Sequence, residues 1–135
     1  FAFGVMADLM DSNTNAFYLE QSGLGMGNRD YYLEESNAAL KKGYEELLAK
    51  LFVLSGTEEA EAKRAAADVV AFETELARAQ AELPDAQAAL EEAQAALDAD
   101  PENQDLITAR DNAQANVDAL TAILAAAEQQ DGQAE

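Results

Sequence analysis

The sequence predicts a mainly α-helical chain, in which a short N-terminal β-hairpin leads into helices and ends in a long, heptad-patterned antiparallel helical hairpin. Three observations predict it. Apolar residues alternate at period two near the start, then recur at three- and four-residue steps from residue 36 onward. Finally Val69, Phe72, Leu76, Ala79, Leu83, Ala86, Leu90, Ala93 and Leu97 form an unbroken 3,4,3,4 seam, followed by a turn and a second apolar stripe.

The first strand is read over 1–8, with Phe1, Phe3, Val5 and Ala7 on one face. "DSNTN" at 11–15 is turn chemistry, because short polar side chains bond readily to nearby backbone. "AFYLEQ" at 16–21 reads as the second strand. Two strands are marginal alone in water, so this hairpin is expected to pack on something. Ser36 is the expected N-cap of the next helix, whose apolar stripe is Leu40, Tyr44, Leu47, Leu48, Leu51 and Phe52. Gly56 supplies its stop and Thr57 the cap of the helix that carries the seam. The seam crosses Pro84, which costs a helix about 3 kcal/mol and usually leaves a kink. Its phase is unbroken, which favours one long helix. "DADPENQD" at 98–105 ends it, with Asp100 expected to cap a last helix starting at Pro101. Leu106, Ala113, Val117, Leu120, Leu124 and Ala127 form the answering stripe, and the terminal "QQDGQAE" is expected to fray.

Composition changes near residue 80. Residues 1–80 carry 14 acidic and 7 basic side chains, whereas 81–135 carry 13 acidic side chains against Arg110 alone. The division expected is therefore 1–80, followed by an acidic, alanine-rich extension over 81–135. A net charge of −19 argues against nucleic acid or an anionic membrane as partner. No apolar run approaches the roughly 20 residues that span a bilayer, and "FAFGVMADLM" has no basic flank to mark a signal peptide. A chain opening on Phe1 is expected to be processed or excised. There is no cysteine and no histidine, so disulfides, the commonest metal ligand and the commonest general base are all missing.

"SGLGMGNRDYYLE" at 22–34 raises a phosphate-loop question. Gly23, Gly25 and Gly27 do not match G-x-G-x-x-G, and no Lys-Ser or Lys-Thr follows. The glycines are read instead as turn residues supplying unusual backbone, with Arg29 and Asp30 pinning the loop and Tyr31 and Tyr32 packing into a core. Asp11, Asn13 and Asn15 open like a calcium loop, but Ala16 stands where Gly belongs and Ser22 where Glu belongs. The carboxylates of 81–135 are read as a solvated face, and Lys41, Lys42, Lys50 and Lys63 as surface pairs with neighbouring Glu. Ser55 and Thr57 have no base beside them.

The ordered series "DSNTNAFYLEQSGLGMGNRDYYLE", "GYEELLAKLFVLSG" and "ADVVAFETELARA" resembles the neprilysin-like (M13) zinc metallopeptidases over residues 1–80. In that family a hairpin leads into Gln-x-Gly-Leu-x-Leu-Pro-x-Arg-Asp-Tyr-Tyr, then a helix with a Tyr, then a helix with Leu-Glu-x-x-Leu-Ala. Gln21, Gly23, Leu24, Arg29, Asp30, Tyr31, Tyr32 and Leu33 sit at matching positions, as do Phe72, Glu73, Leu76 and Ala77. Met26 and Gly27 replace the usual Leu-Pro, and the Arg-Asp and Tyr-Asn segments that normally follow are missing. The resemblance implies a segment of the early helical lobe that walls the substrate chamber, and it supplies no zinc ligand. "NAFY" at 15–18 imitates the family's substrate-binding Asn-Ala-x-Tyr, yet it lies in the early hairpin rather than the catalytic half. Asn15 and Ala16 are therefore only a secondary candidate for binding substrate backbone.

A catalytic zinc needs H-E-x-x-H, which no chain without histidine contains. The expected function is thus a non-catalytic scaffold segment with a protruding hairpin, partnered by a peptidase's catalytic half or by itself through the seam. Neither cofactor nor catalytic or metal-binding residue is expected in this chain, and zinc only in a full-length relative. The competing expectation is an independent helical interaction module, or a natural or laboratory fusion. "ALEEAQAALDADPENQDLI" resembles a tetratricopeptide junction, but no copy follows at the 34-residue period. The compartment stays open, since the resemblance allows extracytoplasmic or bacterial cytoplasmic settings.

Overall fold

The structure, a computed structural model, describes residues 2–8, 10–20 and 23–128. Its elements are β1 (Ala2–Ala7), β2 (Asn15–Glu20), α1 (Asp30–Leu33), α2 (Ala38–Leu54), α3 (Glu59–Ala99) and α4 (Gln104–Glu128). A single turn of 3₁₀-helix, Glu35–Asn37, separates α1 from α2. Phe1, Gln21, Ser22 and the terminal "QQDGQAE" fall outside the described residues, save where that segment's neighbour Glu128 closes α4.

β1 and β2 pair antiparallel, from Ala2 opposite Glu20 to Ala7 opposite Asn15. Asp11 makes the turn. Its Oδ1 accepts from the Asn13 amide at 3.1 Å, its carbonyl accepts from the Thr14 amide at 3.0 Å, and the Asp8 amide reaches the Thr14 carbonyl at 2.9 Å. The expected packing of this hairpin is not seen among the described residues, where Val5 and Met6 are exposed and Met10 is 94% exposed.

Three helix starts differ from expectation. Asn37, not Ser36, precedes α2, and Ser36 spends its hydroxyl on Glu34 at 3.2 Å. Glu58 rather than Thr57 caps α3, accepting from the Ala60 and Glu61 amides at 2.9 and 3.2 Å. Asn103 rather than Asp100 caps α4, because Pro101 and Glu102 are used in the turn and Asn103 Oδ1 accepts from the Asp105 amide at 3.1 Å. At α3 and α4 the side chain of a later residue satisfies free amides of the first turn, whereas Asn37 makes no such bond and donates to the Asp30 carbonyl and Glu34 instead. The stop at Gly56 is as read. Its φ is +102°, its amide bonds the Val53 carbonyl, and the Thr57 amide bonds the Phe52 carbonyl, which is a Schellman closure.

α3 is one helix of 41 residues, with Pro84 inside it. It serves two neighbours. Along its first half Ala62, Ala66, Val70, Glu73 and Ala77 are buried beside the seam residue Leu76, while Val69 and Phe72 are half-buried, because α1 and α2 pack there. Along its second half the predicted seam takes over and meets α4. Ala79 and Ala86 pack with Leu120, flanked by Leu83, Val117, Ile123 and Leu124. The small alanines let the two backbones approach, and Arg110 Nη1 donates to Gln94 Oε1 at 3.3 Å across the pair.

Candidate functional site

Gly25, Tyr32 and Tyr44, three residues within the peptidase-like stretches, converge on one buried carboxylate. Glu73 is 3% exposed on α3 and, among the described residues, pairs with no cation. Instead its oxygens accept three hydrogen bonds: Oε2 from the Tyr32 hydroxyl at 2.8 Å, and Oε1 from the Gly25 amide at 3.1 Å and the Tyr44 hydroxyl at 3.4 Å. The Tyr32 hydroxyl in turn accepts from the Met26 amide at 2.9 Å. A buried carboxylate is costly unless its lone pairs are satisfied, and here two elements and a loop satisfy them. Tyr32 and Tyr44 meet edge to face, with ring centroids 6.5 Å apart. Burial raises both hydroxyls above the usual tyrosine range, and the Glu73 charge adds to it, with Tyr44 pushed up to about 12.

The glycines of this loop do different jobs. Gly23 and Gly27 have φ of +71° and +81°, the left-handed region expected of them. Gly25 is a glycine for space. A Cβ there would overlap the Tyr44 hydroxyl and lie 2.8 Å from Tyr44 Cζ and 3.0 Å from Glu73 Oε1. Its bare backbone lets the loop's amide reach the carboxylate.

Leu24 is half-buried, and Gln21 lies outside the described residues. Tyr32 is 2% exposed, but Tyr31 is 38% exposed and does not enter the core, a correction to its expected role. On so short a helix the two neighbours point different ways. Arg29 lies 3.8 Å from Asp30 with both side chains half-exposed, and its firmer contact is a 3.2 Å hydrogen bond from Nη1 to the Gln80 carbonyl. Asn15 and Ala16 stand opposite Ala7 and Met6 in the hairpin. Lys63 pairs with Glu59 at 2.6 Å as read, whereas Lys41 donates to the Tyr32 carbonyl at 3.0 Å and so ties α2 to α1. The sequence reading placed Tyr44 in an apolar stripe and missed its hydroxyl. The available signal was a glutamate inside the apolar run "VVAFETEL", an acceptor that required donors.

Between α2 and the start of α3 lies an open groove of about 870 Å³. Lys42, Lys50 and Lys63 line it against Glu45, Glu46 and Glu59, so it favours neither sign of ligand. Among the described residues no three Asp or Glu side chains gather to hold a metal, and no helix is long and apolar enough to cross a membrane. The donor set, carboxylates without imidazole or thiolate, does not fit the catalytic zinc of a metallopeptidase.

Comparison with known proteins places this architecture. The sequence profile of peptidase family M13 matches residues 1–98. Endothelin-converting enzyme 1 from Cavia porcellus and from Homo sapiens are each 39% identical over 79 residues, covering 57% of this chain and 10% of theirs. An endothelin-converting enzyme homolog from Locusta migratoria is 35% identical over 79 residues, covering 58% of this chain and 11% of its own. The chain thus spans about a tenth of the length of these relatives. No solved structure matches. With that profile covering residues 1–98, well over half of its length, the chain belongs to peptidase family M13.

Proposed function

We propose that this chain is a non-catalytic structural segment of the M13 architecture, with α4 and the distal part of α3 forming an arm. Peptide hydrolysis, on this reading, belongs to a longer polypeptide that brings its own histidines. The observation that carries the reading is the Glu73 knot: Tyr32, Tyr44 and the Gly25 and Met26 amides turn their polar groups inward on one another. Such an arrangement fixes a loop on a helix and leaves no nucleophile or base aimed at solvent. Support also comes from the surface. Leu40, Leu47, Leu51 and Leu54 lie exposed along α2, spaced as one helical face, as on an element that packs against a larger body. The boundary near residue 80 is part of the proposal, with 81–135 as the acidic arm.

Incubating the purified chain with zinc and a mixed peptide substrate tests it. The expected result is no cleavage above buffer. Cleavage that a chelator abolishes would overturn the non-catalytic assignment.

A further inference from the structure

The geometry points to Arg29 as a strap that replaces the amide Pro84 lacks, and so fixes the direction of the distal arm relative to α1 and α2. In an α-helix the amide of residue 84 would bond the carbonyl of residue 80. Proline has no N–H, so the Gln80 carbonyl loses its helical partner. Arg29 Nη1 donates to that same carbonyl at 3.2 Å, from 51 residues away.

The guanidinium is presented from a fastened loop. Gly25 and Met26 are tied to Glu73 and Tyr32, the Asn28 side chain accepts from the Asp30 amide at 3.0 Å, and the Arg29 carbonyl accepts from the Tyr32 amide at 3.0 Å. One loop therefore grips α3 at Glu73 and again at Gln80, two helical turns or about 10 Å apart. The second grip falls in the turn that the proline weakens. Beyond it, the arm is held by its own contacts, Ala86 against Leu120 and its neighbours. A helix missing one bond bends most readily there, and Arg29 closes the gap with a charge-assisted donor.

A double-mutant cycle on the full chain tests the strap, using Arg29→Gln, Pro84→Ala and the pair. Alanine at 84 supplies its own amide, so Arg29 should matter less beside it. Melting temperature should fall about twofold more on Arg29→Gln with Pro84 present than with alanine there. The chain has no cysteine, so spin labels can be placed singly through Glu46→Cys on α2 and Ala115→Cys on α4. The distance distribution between them should broaden in Arg29→Gln and narrow again when Pro84→Ala is added. Equal melting losses in both backgrounds, or a distribution indifferent to Arg29, would overturn the strap.

Discussion

Glycine 25 shows how one residue can be dictated by its neighbours rather than by its own backbone. Its φ is not left-handed while those of Gly23 and Gly27 are, so alanine should act differently at the three positions. Gly25→Ala forces a methyl into Tyr44 and Glu73 and should cost about 1–3 kcal/mol, mostly by displacing Tyr44. Gly23→Ala meets open space and should cost about 1 kcal/mol, the strain of a left-handed alanine. Urea unfolding of the two variants separates crowding from strain, because a further Tyr44→Phe change should relieve Gly25→Ala alone. The tyrosines also make the fold sensitive to alkali. Tyr44 and Tyr32 keep their protons in the folded chain above pH 10, where a free tyrosine loses its own. Their contribution is whole below pH 10 and declines as pH rises through about 12 for Tyr44, by up to about 1.4 kcal/mol per pH unit for each group. Urea midpoints across that window should fall less steeply in Tyr44→Phe than in the parent. Only part of this was readable in the sequence. The motif residues could be singled out, but hydroxyl-to-carboxylate pairing across 41 and 29 residues depends on how α1, α2 and α3 meet, which no local pattern encodes.

Element identities were more readable than element ends. The 3,4,3,4 seam held its phase through Pro84 because packing against α4, more than local propensity, decides whether a helix survives a proline. Where α3 meets α1 and α2 the buried face widens by one position, to Val70, Glu73 and Ala77 beside Leu76, since apolar spacing alone cannot say which of two neighbours a helix faces. Caps were misplaced for a related reason. Thr57 and Asp100 are good cap residues by type, but Gly56 draws the Thr57 amide back onto α2, and Pro101 starts a turn before α4 can begin. Two measurements belong at this scale. Leu120→Ala should cost about 2–4 kcal/mol by opening a cavity opposite Ala79 and Ala86. Glu58→Ala should cost about 1 kcal/mol, the value of a cap bonding two free amides. Thermal unfolding followed at 222 nm ranks them, and a cap that outweighed Leu120 would mean that the α3–α4 contact contributes little.

At the scale of the whole molecule, polar satisfaction is internal while apolar burial is incomplete. Every polar group of the Glu73 knot is paired, yet Leu54 is 84% exposed, and Leu40, Leu47 and Leu51 stand between 38% and 51%. The arm does not close over them, because α4 packs on the second half of α3. The stripe therefore adds little to the stability of this chain, as expected if it packs on a larger body. Replacing Leu47 and Leu51 together by glutamine separates these roles. The expected melting temperature is close to that of the parent, since exposed substitutions usually stay within about 0.5 kcal/mol each. Fluorescence of a hydrophobic dye bound to the folded parent should drop in the double variant, because its binding surface has been cut in the middle. Unchanged dye binding would move the exposed surface to the hairpin, where Val5, Met6 and Met10 are the alternative. A large loss of stability would instead show that these leucines already pack within the chain, and that α2 is an inner helix with no face to offer.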